Sequence, residues 1–569
     1  MNHPSASPPE GAAIWFASQS RSLCGMLHEP PDSDGARGRG LVICPPIGYE
    51  LWSSYATLRV VAQNACAAGF TVLRFDYDGT GDSVGDHRDP DRVRAWTLSI
   101  DQACRHLVDG LGVRKLTLLG LRVGASLAAA YVAQTRPSWL DELILWDPVV
   151  NGRRYVRGLR LVATPAAGSV SGRQSDTRRT DNGDAFTGVA GTVHSAATLD
   201  DLAALDLLKL HPPGCRVLLL HRPERGDCAA LAQHWADAGL RVDRHTDDGI
   251  EKVIDRPTEE AELPMQTLQF LREKLADHVG ASPDRSAASP AHAPPRDSSR
   301  FHHSPTSAAL VERFVRIHPD RLHGVLCEAE ERHEPDRLLV FLNAGLEHHV
   351  GPGRLWVEFS RDLVRPGLAA LRVDFNGLGE SPMRSPPRAL CLYDRAHEVD
   401  VRNIVRFARQ RGYRKVVLLG LCASAWIALN SAASAGADGV AAINPQLYWR
   451  PGDPTPIALA DFRKPGAAER EALGARWRLW SLLDGLGIRP HAAHWLQRLR
   501  KNGVAMLMLF AEADPGVVYL RTRMARRLAR LTAHGGVRCV ELPGMDHPMH
   551  RHTLRPRALA VLRDFVHDL

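Results

Sequence analysis

Three residues in the second half of the chain have the types and order needed to break an acyl bond. Cys422 would attack as a thiolate, His547 would take and return its proton, and Asp514 would fix the tautomer of the imidazole. Cys422 stands in VVLLGLCASAW, where a buried strand runs into Gly420, the cysteine, small residues and a helical stretch. A sharp strand-to-helix turn exposes its central side chain but tolerates only small residues two positions to either side, a demand that Gly420 and Ser424 meet. The following helix N-terminus favours a thiolate. Asp514 lies just beyond a strand in LMLFAEADPG and His547 in the loop after the next strand, VELPGMDHPM, with Glu512 and Asp546 as competing carboxylates. The oxyanion would be held by the N–H of Ala423 and by a second N–H after LLVFLNAG, at Gly345 or Leu346. His348 and His349 come next; adjacent residues of an extended segment point to opposite sides, so one of them could approach Cys422. Histidines hydrogen-bonded to loop backbone are the alternative, and no further ligands at suitable spacing point to a metal there.

The same pattern occurs earlier in the chain without its chemistry. LRFDYDGTGDS from Leu73 reappears as LRVDFNGLGES from Leu371, and RKLTLLGLRVGASLA from Arg114 reappears as RKVVLLGLCASAWIA from Arg414. The paired aspartates differ by 374 − 76 = 298 and the turn residues by 422 − 122 = 300, which argues for duplication of a whole domain. In the first copy Arg122 replaces the cysteine and Lys252 falls where His547 stands, so neither a nucleophile nor its base is present. Ser126 comes four residues late and would lie on the helix. Arg122 could form a cationic pocket floor for a carboxylate or phosphate; a salt bridge to an acid such as Glu251 is the favoured alternative. Asp78, Asp82 and Asp374 belong to turn-rich loops expected to hold the sheet edge together.

These residues need a mostly parallel sheet to position them. In each copy two antiparallel strands precede buried strands that alternate with helical stretches, the βαβ rhythm of a sheet covered by helices on both faces. The expected fold is α/β, with two tandem domains over residues 11–276 and 308–569 and a Pro/Ala/Ser-rich flexible linker over 277–307. A segment without sheet rhythm follows the strand after the elbow helix in each, at about 152–205 and 448–501, and is read as a cap insertion. The second holds Trp449, Trp477, Trp480 and Trp495, which could touch substrate or pack the cap onto the sheet.

Composition narrows the alternatives. The +7 formal charge is interleaved with acids and no nucleic-acid reading motif is present, which weighs against nucleic-acid binding. The ten cysteines are scattered singly, so reduced thiols are expected and neither a disulfide framework nor a structural metal. There is no apolar run of bilayer length and no leader pattern at Met1, making the cytoplasm the expected location. No cofactor is called for.

The ordered motifs resemble the α/β-hydrolase superfamily, in particular bacterial serine aminopeptidase-like (S33-like) hydrolases associated with polysaccharide or natural-product clusters. The second half is similar to them in its NAG…HHVGP loop (Asn343 to Pro352), its D-x-x-G-x-G-x-S loop (Asp374 to Ser381), its elbow and its terminal histidine, and departs from them in Cys422 where serine is usual. That resemblance implies an acyl hydrolase or acyltransferase acting on esters or thioesters, with a small-molecule or carrier-bound acyl substrate, a carrier protein as candidate partner, and a non-catalytic first domain. A binding protein made of two retired hydrolase domains, and a hydrolase fold recruited for cyclase or lyase chemistry, remain open.

Overall fold

A computed structural model describes residues 10–17, 21–30, 38–163, 177–179, 185–211, 214–279, 296–303, 308–331, 336–384, 392–447, 492–533 and 536–569. Two compact units comprise residues 1–165 with 173–314, and residues 166–172 with 315–569.

The first unit is built on β1 (Ala12–Phe16), β2 (Leu23–His28), β3 (Arg39–Cys44), β4 (Thr71–Phe75), β5 (Lys115–Leu121) and β6 (Leu140–Trp146). A separate three-stranded antiparallel sheet follows, of β7 (Thr177–Arg179), β8 (Ala185–Val189) and β9 (Thr192–Ser195), before β10 (Arg216–His221) and β11 (Val242–Thr246) return to the main sheet. The main sheet has the order β1-β2-β4-β3-β5-β6-β10-β11; β1, β2 and β4 pair antiparallel and the rest parallel. Strands such as β5 and β6 are buried along nearly their whole length, because helices cover both faces and leave no polar side.

β12 (Ser298–His302) and β13 (Ala309–Ile317) pair antiparallel, so part of the expected linker 277–307 is strand, and the Met265–Val279 helix enters its start. The second unit contains β14 (Leu322–Ala329), β15 (Arg337–Phe341), β16 (Leu368–Val373), β17 (Lys415–Leu421), β18 (Gly439–Ile443), β19 (Ala505–Ala511) and β20 (Val537–Leu542), in the order β14-β16-β15-β17-β18-β19-β20. This matches β2-β4-β3-β5-β6-β10-β11 strand for strand. The pairing Gly40↔Thr71 recurs as Leu338↔Ala369, each residue displaced by 298, so the duplication holds at the level of register.

The cap segments differ from their reading in sequence. Residues 152–205 do carry sheet: a helix (Gly152–Ala163), then β7 to β9, then a second helix (Ala196–Ala204) capped by Ser195. The strands are three to five residues long, too short for alternation to stand out in the sequence. In the second unit the Ala492–Lys501 helix is described, whereas Trp449, Trp477 and Trp480 lie outside the described residues.

Candidate active site

β17 ends at Leu421, Cys422 follows at φ +58°, and the helix Ala423–Ala435 begins at once. A left-handed backbone at a non-glycine residue costs about 1–3 kcal/mol and persists only when its surroundings enforce it. They do so here by contact: a Cβ on Gly420 would lie 2.5 Å from Ala425 N and from the carbonyl carbon of Ser424, while Ser424 Oγ donates to Leu421 O at 3.1 Å. The Cys422 N–H is held by Ile443 O at 2.9 Å, leaving the side chain half-buried at the end of the sheet.

Asp514 caps the helix Pro515–Arg523 and engages both carboxylate oxygens. Oδ1 accepts from Gly516 N at 2.8 Å, and Oδ2 meets His547 Nδ1 at 2.5 Å. His547 and Cys422 interact electrostatically, which couples the Asp514–His547 pair to the elbow residue. Burial pulls the imidazole toward its neutral form, but the Cys422 sulfur and the Asp514 carboxylate outweigh it and raise its pKa well above the ordinary value. The competing acids are engaged elsewhere: Glu512 accepts from Gly544 N at 2.8 Å, and Asp546 from His550 N and Arg551 N at 3.1 Å each.

Ala423 is the first residue of the elbow helix, where amide N–H groups have no intrahelical acceptor. Gly345 adopts φ +58° in the turn after β15, and Leu346 packs on the core. His348 and His349 do not sit on opposite sides. The segment turns, with Gly351 N donating to His348 O at 3.1 Å, and this brings the two buried rings together, edge to face at 5.6 Å. His349 Nδ1 is 2.8 Å from Asp374 Oδ2, and Asp374 Oδ1 accepts from His349 N at 2.7 Å and Asn343 Nδ2 at 3.0 Å. Asp374 thus fastens loops, as its sequence context suggested. In the first unit Asp76 Oδ2 likewise accepts from Asp82 N at 3.0 Å.

Arg122 occupies the first elbow at φ +55°, nearly superposable in backbone torsion on Cys422. It is no open pocket floor, and its partner is not Glu251: Nε donates to Glu50 at 2.9 Å and Nη1 to Asp147 at 3.1 Å, with 3% and 0% of those acid side chains exposed. Strand register adds what linear spacing did not show. Val217 and Met506 take the same place beside β6 and β18, so Arg225 falls opposite Asp514 (514 − 225 = 289), and each starts the next helix. With Lys252 in the histidine position, basic residues occupy all three places, and Arg225 and Arg222 both ion-pair with Asp147. Ser126 is buried, its hydroxyl donating to Val149 O at 2.8 Å.

Two further site features escaped the sequence. Asn444, at φ +47° after β18, donates to His547 O at 2.6 Å and accepts from Ala511 N at 2.6 Å, tying the histidine loop to the sheet. Its first-unit counterpart is Asp147, and the repeat of W-D-P as I-N-P was the available signal. The Tyr393 hydroxyl lies 3.7 Å from Cys422 Sγ and donates to Gln446 Oε1 at 3.2 Å. Nothing in the sequence near Tyr393 marks it.

Residues 51–186 match the family model for serine aminopeptidase, S33. Among curated proteins none matches the chain. Similar solved structures include Est1E from Butyrivibrio proteoclasticus with ferulic acid bound, at 14% identity and TM-score 0.36 over 47% of this chain and 100% of that one. A proline iminopeptidase of Mycobacterium smegmatis gives 14% identity and TM-score 0.31 over 47% and 100%. An esterase of Pyrococcus furiosus gives 13% and 0.32 over 49% and 93%.

Proposed function

We propose that this chain, an α/β-hydrolase-fold protein similar to the S33 serine aminopeptidases, is an acyl hydrolase or acyltransferase working through Cys422, His547 and Asp514 of its second unit, with the first unit non-catalytic. The observation that carries the reading is the 2.5 Å pairing of Asp514 Oδ2 with His547 Nδ1, coupled electrostatically to a cysteine on a strained elbow.

The Cys422 thiolate attacks an ester or thioester carbon, forming the S–C bond as the carbonyl π pair moves to oxygen. Amides of Ala423 and the Gly345–Leu346 turn receive that charge. Collapse expels the alcohol or thiol, which takes its proton from His547. Water or an acceptor hydroxyl then attacks the thioester as His547 removes its proton, and cleavage of the S–C bond restores the thiolate and imidazolium. A thioester intermediate suits esters, thioesters and acyl transfer better than amides. Polysaccharide or natural-product intermediates, delivered free or on a carrier protein, are the substrates proposed.

Intact-protein mass spectrometry with activated esters and acyl thioesters tests this. The expected result is one acyl adduct on the wild type, none on Cys422→Ala and a greatly slowed one on His547→Ala. Absence of any adduct on the wild type would overturn the proposal in favour of a binding role for both units.

A further inference from the structure

A polar contact to the Cys422 sulfur comes from Tyr393. Its position is fixed by packing: the ring meets Trp426 edge-on at 5.8 Å, and Trp426 is fully buried in the elbow helix and meets Trp495 edge-on at 6.0 Å. The hydroxyl lies between Cys422 Sγ at 3.7 Å and Gln446 Oε1 at 3.2 Å, and Gln446 is two residues beyond Asn444, which holds the histidine loop.

We propose that Tyr393 is a further catalytic residue whose single hydroxyl proton follows the charge on the Cys422 sulfur. A phenol has one proton to donate and here two acceptors face it. When sulfur is bonded to hydrogen or to an acyl group it is a weak acceptor, and the proton points to Gln446. When sulfur is a thiolate it is the stronger acceptor, and the hydroxyl rotates to it. The rotation makes and breaks no covalent bond, and stabilises the thiolate both before attack and as it leaves the acyl carbon. This assignment rests on Cys422 being the nucleophile; Gln446 is then a positioning residue that competes for the same proton.

The test is the pH profile of Cys422 alkylation by iodoacetamide in the full-length chain, read by peptide mass, for wild type, Tyr393→Phe and Gln446→Leu. Alkylation needs no acyl substrate, so it separates failure here from failure of the acyl-transfer reading, which the ester adducts report. Tyr393→Phe keeps the ring and removes the donor: alkylation at pH 7 should fall roughly tenfold and its profile move to the alkaline side. Gln446→Leu removes the competing acceptor, so alkylation at pH 7 should rise. An unchanged rate in Tyr393→Phe, or a fall in both variants, would overturn the proposal. If Tyr393→Phe does not fold, Gln446→Leu decides alone: a rise supports the switch, and an unchanged or lower rate sinks it.

Discussion

At the residue scale, Asp514 is held from two directions, with Gly516 N on one oxygen and the imidazole on the other. Replacing it with asparagine keeps the shape but presents an amide where the histidine needs an acceptor. Asp514→Asn should therefore fold normally and lose about 10³–10⁴-fold in kcat for acyl transfer, measured as the rate of adduct formation. Arg122 offers a different case, a largely buried charge locked between two acids. Burial raises the Glu50 carboxyl even though Arg122 opposes the shift, so removing the guanidinium leaves that acid without its main counter-charge. Urea denaturation of Arg122→Ala should show a loss of about 3–5 kcal/mol. Arg122→Lys should recover only part of it, because an ammonium lacks the fork that reaches Glu50 and Asp147 together.

At the element scale, the site depends on how β17, β18 and β19 end. Asn444 joins the last two to the histidine loop through hydrogen bonds of 2.6 Å at each end of its amide. Asn444→Ala should lower kcat by about one to two orders of magnitude with KM little altered, since each lost bond at a buried site is worth about 1–3 kcal/mol and acts on the position of His547. Steady-state kinetics on an activated ester would show a uniform loss of binding instead if Asn444 served only the cap. The elbow has its own requirement: a Cβ at Gly420 would meet backbone atoms 2.5 Å away on the helix it precedes. Gly420 marks a close approach of two backbones, and Asn444 a side chain that spans two others.

At the scale of the whole molecule, buried histidines set the response to acid. Burial lowers His323 in the second unit to about 3 and His194 in the first to about 4. Folded, both stay neutral well below pH 6.5, whereas the unfolded chain takes up a proton at each. The unfolded state therefore binds more protons in that window, and stability should fall as pH drops from about 6.5 towards 4, by up to about 1.4 kcal/mol per pH unit for each group. Asp374 adds to this at lower pH: its carboxylate, penalised by burial but held down by His349 and its neighbours, gives stability above its unfolded pKa that is lost as the pH falls further. Urea midpoints measured from pH 7 to 4 should slope downward, and His323→Gln should flatten part of the slope. A midpoint independent of pH in that range would contradict this account.

The sequence by itself determined the duplication, the order of the main-sheet strands and their helices, and the elbow with its small neighbours, and it singled out Cys422, Asp514 and His547 as candidates, because each is written in local pattern or constant spacing. It also placed Lys252 in the histidine position, since few residues separate it from β11. Only the tertiary structure decided that Arg225 takes the place of Asp514, that Glu50 and Asp147 hold Arg122, and that Asn444 and Tyr393 contact His547 and Cys422. The offset between the two copies is 300 at the elbow and 444 − 147 = 297 at the end of the next strand, then 514 − 225 = 289 after the cap, because the cap segments differ in length and linear spacing cannot be carried across them. Parallel strands are aligned by hydrogen-bond register between distant parts of the chain, and side chains from their ends meet only once that register is set.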